Sequence, residues 1–137
     1  CCIGADVIVG FPGENDFDFK RTYDFISSLE ISYLHVFSYS ERVNTESVYF
    51  AKKNSKKIKS ERSSILRELS DIKRESFYKK NINSERKILF ESENKNGFIH
   101  GYTDNYIRVK TIWSSSLVDS IVKRKLSVLS NDNLVVV

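Results

Sequence analysis

The sequence predicts an α/β segment followed by an all-β segment, with one long helix between them. Three observations predict it. The apolar run Val7-Ile8-Val9 breaks into Gly10-Phe11-Pro12-Gly13-Glu14 and then at once into a helical pattern. A second apolar stripe at helical spacing runs from about Ser55 to Lys80. Beyond Asn81 the period falls to two, with an Asn-Gly pair between two apolar runs. Periodicities of 3.6 and 2 mark helix and strand because they bring apolar side chains onto one face of each.

Val7-Ile8-Val9 reads as a buried parallel strand, since such strands are apolar on both faces. The loop after it uses Gly for positive φ or close backbone approach and Pro to hold φ. Local physics leaves two readings open for Gly10–Glu14. It is either a tight βα turn or backbone placed beside a ligand at the carboxyl end of a strand. Asn15 or Asp16 is expected to cap the next helix, with Asp18 in a first turn that favours acid. Phe19, Tyr23, Ile26 and Leu29 make its apolar face. The short, aromatic and β-branched stretch Tyr33–Tyr39 is the second strand. Residues 4–39 thus form a βαβ unit, which calls for a right-handed crossover. Its first strand has only Val36-Phe37 to pair with, and the chain opens Cys1-Cys2. The sequence is therefore expected to be the carboxyl-terminal piece of a longer protein.

Residues 40–55 have no period and are expected to be loop. In the helix that follows, Ile58, Ile65, Leu69 and Ile72 form a stripe, widened by Leu66 and Phe77. The stripe is expected to pack, and the remaining Lys, Arg and Glu face to be solvated. Strands are then expected at Arg86–Glu91, Phe98–Tyr102, Tyr106–Ile112, Ser120–Val128 and Leu134–Val137. Asn94–Gly97 is the hairpin turn between the first two. Short strands joined by polar turns indicate a small antiparallel, OB-like barrel.

Bulk properties narrow the functions. No apolar run approaches the 18 residues or so of a membrane span. The two cysteines are adjacent, so they close no loop and suggest a reducing compartment. Neither they nor His35 and His100 have metal-site spacing. The net charge is +4 but unevenly spread: −5 over residues 1–51, +7 over 52–80 and +2 over 81–137. A basic middle on a mildly basic end is the pattern of a polyanion-binding half.

Two segments together carry a family resemblance. GADVIVGFPGE (Gly4–Glu14) and HVFSYSERVNT (His35–Thr45) resemble the last two strand units of the radical-SAM (β/α) barrel in methylthiotransferases. GYTDNYIRVK (Gly101–Lys110) resembles the core of the TRAM domain that ends those enzymes. The helix containing RSSILRELSDIKRESFYKK (Arg62–Lys80) is similar to their connector. Within the family the tRNA threonylcarbamoyladenosine branch is most similar; the isopentenyladenosine and ribosomal-protein S12 branches are near relatives. A free-standing, non-catalytic RNA-binding module is the competing reading. The sequence departs from the family's Pro-Tyr-Ser-x-Arg-Pro-Gly-Thr, having Ser38-Tyr39-Ser40-Glu41-Arg42-Val43-Asn44-Thr45, and Asn15 stands where Thr is usual. The Cys-x-x-x-Cys-x-x-Cys loop is absent, and adjacent thiols cannot replace it.

The resemblance implies three parts: the end of a radical-SAM barrel at 1–54, a basic connector helix at 55–80 and a TRAM β-barrel at 81–137. It implies S-adenosylmethionine and two 4Fe–4S clusters as cofactors of the full-length parent, a tRNA partner rather than DNA or a membrane, upstream domains of the same polypeptide, and a cytoplasmic location. Ile8, Gly10, Phe11, Gly13, Glu14, Val36, Phe37, Ser38, Tyr39 and Arg42 are its cofactor-side candidates. Tyr102, Thr103, Asn105, Arg108, Lys110, Lys123, Arg124 and Lys125 are its tRNA-side candidates. No catalytic residue and no metal ligand are expected in these 137 residues, so the piece alone is expected to be inactive.

Overall fold

A computed structural model describes residues 1–137. The chain divides into two compact units, Ile3–Arg74 and Glu75–Val137, the latter counted with Cys1–Cys2.

The first unit opens with β1 (Gly4–Val9), α1 (Asp16–Ser28) and β2 (Tyr33–Ser38), with β1 and β2 paired in parallel. Asn15 is the cap of α1. Its side chain accepts from the Phe17 and Asp18 N–H groups at 2.8 and 3.0 Å, and Asp18 accepts in return from the Asn15 N–H. This reciprocal box satisfies amides that the helix itself cannot. A 3₁₀ turn (Glu46–Tyr49) lies inside the expected loop, and α2 (Lys56–Asn81) follows. The core gathers Val9, Ile26, Leu34, Leu66 and Leu69, with Val7, Phe19, Tyr23 and Val36 packed against them.

Two expectations fail here. β1 is not buried on both faces: Ala5, Val7 and Val9 turn inward while Ile8 is 59% exposed beside Phe37 at 52%. With only one other strand and helices on one side, half of this apolar run meets no cover. The stripe of α2 is also rotated. Leu66 and Leu69 are buried with Arg62, Ser63 and Ser70, whereas Ile65 and Ile72 are exposed. The buried face centres on Leu66, because Arg62 and Ser70 find hydrogen-bond partners inside and occupy positions that sequence patterning assigns to solvent.

The second unit takes the end of α2 and a six-stranded sheet. Its strands are β3 (Glu85–Lys95), β4 (Phe98–Thr103), β5 (Arg108–Ile112), β6 (Ile121–Lys125), β7 (Val128–Leu129) and β8 (Val135–Val136), in the order β6-β3-β4-β5-β8-β7. Tyr78, Ile88, Phe90, Ile99, Ile107, Val109, Leu126 and Val135 form its core. Burying a side chain of this size contributes about 1.5–3 kcal/mol. The sheet is less regular than the expected antiparallel barrel. β5 and β8 pair in parallel, and β6 and β7 are edges not bonded to each other. The single strand expected at Ser120–Val128 is divided into β6 and β7 at Leu126, whose side chain enters the core and whose N–H bonds the Ser84 carbonyl at 2.9 Å, one step beyond the Glu85–Lys125 pair. β3 runs past Glu91 to Lys95, so the hairpin turn shrinks to Asn96-Gly97, both at positive φ. Two such residues match the twist of the strands they join. Gly101 faces Phe90 at the register shift of β3, where a side chain would press on the Leu89 carbonyl. Tyr106 is not a strand residue; it takes φ 67° in the β4–β5 turn.

Candidate functional site

The cofactor-side candidates converge at the carboxyl ends of β1 and β2. Phe11-Pro12-Gly13-Glu14 forms a β-turn closed by the Glu14 N–H on the Phe11 carbonyl at 3.0 Å, with Gly13 at φ 92°. Proline second and a positive-φ glycine third is the chemistry of a type II turn. The Glu14 carboxylate accepts from the Gly10 N–H and, at 2.8 Å, from Arg62. Arg62 is 4% exposed, reaches Asp16 at 2.8 Å with its other arm and also donates to the Glu14 carbonyl. Asn54 donates to the Phe11 and Glu14 carbonyls at 2.9 and 3.1 Å. Glu14 is thus occupied in holding the loop. Arg62 and Asn54, which set its shape, carry no local motif that marks them in the sequence.

Alternation divides the remaining candidates. Ile8 and Phe37 pair across the strands and stand exposed on one face, while Val36 packs into the core on the other. A hollow of about 400 Å³ brings Ile8, Phe37, Ser38, Tyr39 and Arg42 together with Ser40, Thr45 and Ser47. Tyr39 is fixed at its rim: its hydroxyl donates to Ser47 at 2.8 Å, and its ring meets Phe11 edge-on at 5.1 Å between centroids. Lys59 donates to the Tyr39 carbonyl at 3.1 Å and lies over the ring. Asn44 takes φ 68°, supplying the left-handed residue where the family's motif has glycine. Gly10, Phe11, Gly13 and Glu14 do not line the hollow. The hollow offers an apolar wall, hydroxyls and one exposed guanidinium. No group of three His, Cys, Asp or Glu side chains is placed to hold a metal ion. The residues present therefore do not fit an iron–sulfur cluster.

The tRNA-side candidates separate into builders and surface. Thr103 and Asn105 are buried, at 5% and 8% exposure. The Thr103 hydroxyl donates to Asn105 Oδ1 at 2.7 Å and accepts from the Ile107 N–H at 2.8 Å; Asn105 in turn donates to Asn81 at 3.0 Å. Their polar groups are engaged in and around the β4–β5 turn, where both residues support the backbone. The other candidates share one sheet face, with Arg124 the exception. Register places Lys123 and Lys125 opposite Lys87 and Glu85, but Arg124 opposite Arg86 on the reverse side.

On that face Arg108 lies 4.4 Å over the Tyr102 ring and grips Glu91 through two bonds of 2.6 and 2.7 Å. Those bonds hold the Glu91 carboxyl below its ordinary value. Lys110 reaches Asp132 at 2.6 Å and stands over Phe98, and Lys123 reaches Glu85 at 2.7 Å. His100 is pushed down by burial, with Arg108 and Lys95 opposing its charge further and Glu91 offsetting part of the shift. Three expected cations are therefore already paired. Lys87, absent from the expectations, forms no ion pair, and Lys125 stands across from Glu85, whose carboxylate is bonded to Lys123; Lys87 was legible only from the cross-strand register. No helix is long and apolar enough to cross a membrane.

No protein-family model matches the chain. It is 44% identical over 108 residues to the threonylcarbamoyladenosine tRNA methylthiotransferase MtaB of Aquifex aeolicus, covering 79% of this chain and 25% of that protein. It is 36% identical over 129 residues to the protein of the same name from Bacillus subtilis, covering 90% and 28%. The tRNA-2-methylthio-N(6)-dimethylallyladenosine synthase of Aliarcobacter butzleri is 35% identical over 133 residues, covering 96% and 30%. The chain spans between a quarter and a third of the length of these relatives.

Proposed function

We propose that this chain, homologous over most of its length to threonylcarbamoyladenosine tRNA methylthiotransferases, is the carboxyl-terminal part of an enzyme that methylthiolates N6-threonylcarbamoyladenosine beside the anticodon of tRNA. The observation that carries this reading is the 44% identity to the Aquifex aeolicus protein over 108 residues, 79% of this chain. The parent acts in the cytoplasm and depends on S-adenosylmethionine and iron–sulfur clusters. The ligands of those clusters belong to other parts of the polypeptide, so these residues alone do not turn over.

S-adenosylmethionine, when bound, supplies the methyl group and the radical precursor. In this reading Ile8 and Phe37 wall the nucleoside, Ser38 and Tyr39 offer hydroxyls and main chain, and Arg42 meets an acidic substituent. Glu14, through Gly10 and Arg62, positions the loop without touching the ligand. The barrel-like unit holds RNA. Tyr102 with its stacked Arg108 makes a flat, cationic platform for a base, and Lys87 and Lys125 meet phosphates.

Nucleoside mass spectrometry on tRNA from cells with and without the full-length gene tests the activity. The 2-methylthio derivative of threonylcarbamoyladenosine is expected to vanish with the gene; its persistence would sink the assignment. The RNA interface has its own test, binding of labelled tRNA across a salt series. Because most cations of the face are paired internally, the slope of log K against log salt is expected near −2, about −0.9 for each released contact. Lys87→Gln should reduce it by about one contact. Binding indifferent to salt would remove this face from RNA recognition.

A further inference from the structure

A second hollow, of about 620 Å³, lies between the end of β2 and the first half of α2. Two neighbouring i, i+4 rows of the helix line it: Lys56-Ser60-Ser64 and Lys59-Ser63-Arg67. Residues four apart stand above one another, so the rows present three cations and three hydroxyls on one strip. Lys56 and Arg67 have no acidic partner, and the single carboxylate on the wall, Glu41, is tied to Lys53 at 2.9 Å. Ser63 is 3% exposed and its Oγ has no hydrogen-bond partner. A buried hydroxyl left unpaired costs about 1–3 kcal/mol unless something completes it. Sequence patterning treats this strip as an ordinary solvated face; the closing contribution of Ser38, Tyr39 and Ser40 comes only from the fold.

We propose that this hollow is a phosphate-binding site, taking a phosphate carried on a nucleotide unit. Charge favours an oxyanion, and the hydroxyls favour one with several acceptor oxygens, Ser63 among the donors. The volume falls in the range of about 300–1,000 Å³ that small-molecule pockets occupy, beyond the needs of a bare ion. The phosphate chemistry follows from this lining; that its source is RNA rests on the functional reading above.

The test is an NMR titration of the full 137-residue chain, following backbone amides, with inorganic phosphate in one arm and an anticodon stem-loop RNA in the other. Saturable shifts centred on residues 59–67 are expected with both probes. Lys56→Gln combined with Arg67→Gln should abolish them, and Ser63→Ala should weaken phosphate by about 3- to 10-fold. The two cations are at the surface, so an unchanged spectrum of the free variant shows that its fold is intact. No saturable shift with phosphate, or shifts indifferent to these substitutions, would overturn the site. If phosphate binds there but RNA moves only the β3–β6 face, the RNA source is overturned while the RNA-binding reading stands. If phosphate binds there and RNA moves nothing, that reading fails and the phosphate site survives it.

Discussion

The Gly10–Glu14 loop and the Thr103–Ile107 turn are both held by buried polar side chains, and in opposite ways. In the first, a buried arginine clamps a carboxylate that also caps a loop amide. In the second, a neutral chain of Thr103, Asn105 and Asn81 does the equivalent work. Each stands beside a surface that meets ligand in the functional reading: the exposed Ile8–Phe37 pair in one unit, the Tyr102–Arg108 platform in the other. The contrast teaches that polar residues flanking a site belong to two populations, and that burial sorts them. The charged clamp is the more vulnerable, because an ion stranded out of water costs more than a stranded amide.

The largest effect is expected from breaking the charged clamp. Arg62→Met removes the partner of Glu14 and should destabilise the protein by about 3 kcal/mol, the cost of leaving one buried charge alone. In urea unfolding this appears as a lower midpoint at constant slope. Adding Glu14→Gln should recover part of the loss, since the two residues are coupled. An unmoved midpoint for Arg62→Met would mean that the clamp contributes nothing.

A smaller loss is expected at the neutral turn. Asn105→Ala should cost about 1–3 kcal/mol by stranding the Thr103 hydroxyl proton, while Asn81 keeps its bond from Arg86. RNA affinity of the folded variant should be unchanged. A fall in affinity without loss of stability would return Asn105 to the ligand contacts.

The smallest effect sits at the edge of the sheet face and appears only in acid. Asp132 is exposed, and hydrogen bonds from Lys110 and then Ser130 pull its carboxyl down from 3.8 to about 2. Its pKa is lower folded than unfolded, so its contribution is present above pH 3.8 and is lost as pH falls toward 2. Asp132→Asn should flatten the stability curve across that window, measured by urea midpoints at successive pH values. An identical slope in both proteins would show that the Lys110 pair is without thermodynamic weight.

Much of this architecture was legible in local pattern. The helix edges at Asp16 and Lys56, the Asn15 cap, the parallel strand pair and the Asn96-Gly97 turn depend on nearest neighbours and on dihedral preference. Elements that depend on remote partners were misread. That Leu66 is buried and Ile65 exposed turns on where Arg62 and Ser70 find hydrogen-bond partners, and the end of β6 turns on Leu126 reaching the core. The site divides the same way. Ile8, Phe37, Ser38, Tyr39 and Arg42 could be grouped from sequence and meet in one hollow. The roles of Glu14, Thr103 and Asn105 could not be read there, because a polar side chain looks the same whether it faces a ligand or a buried neighbour.

By itself the sequence determined the βαβ start, the long helix and the period-two end, together with the resemblance that relatives at 35–44% identity share. These follow from short-range torsion and from motifs whose residues are contiguous. Only the tertiary structure decided which cations are free, which polar groups are spent on loops, and that two rows of α2 close a hollow with the end of β2. Those outcomes are settled by pairing and burial between residues far apart in the chain, and distance along a sequence carries no record of either.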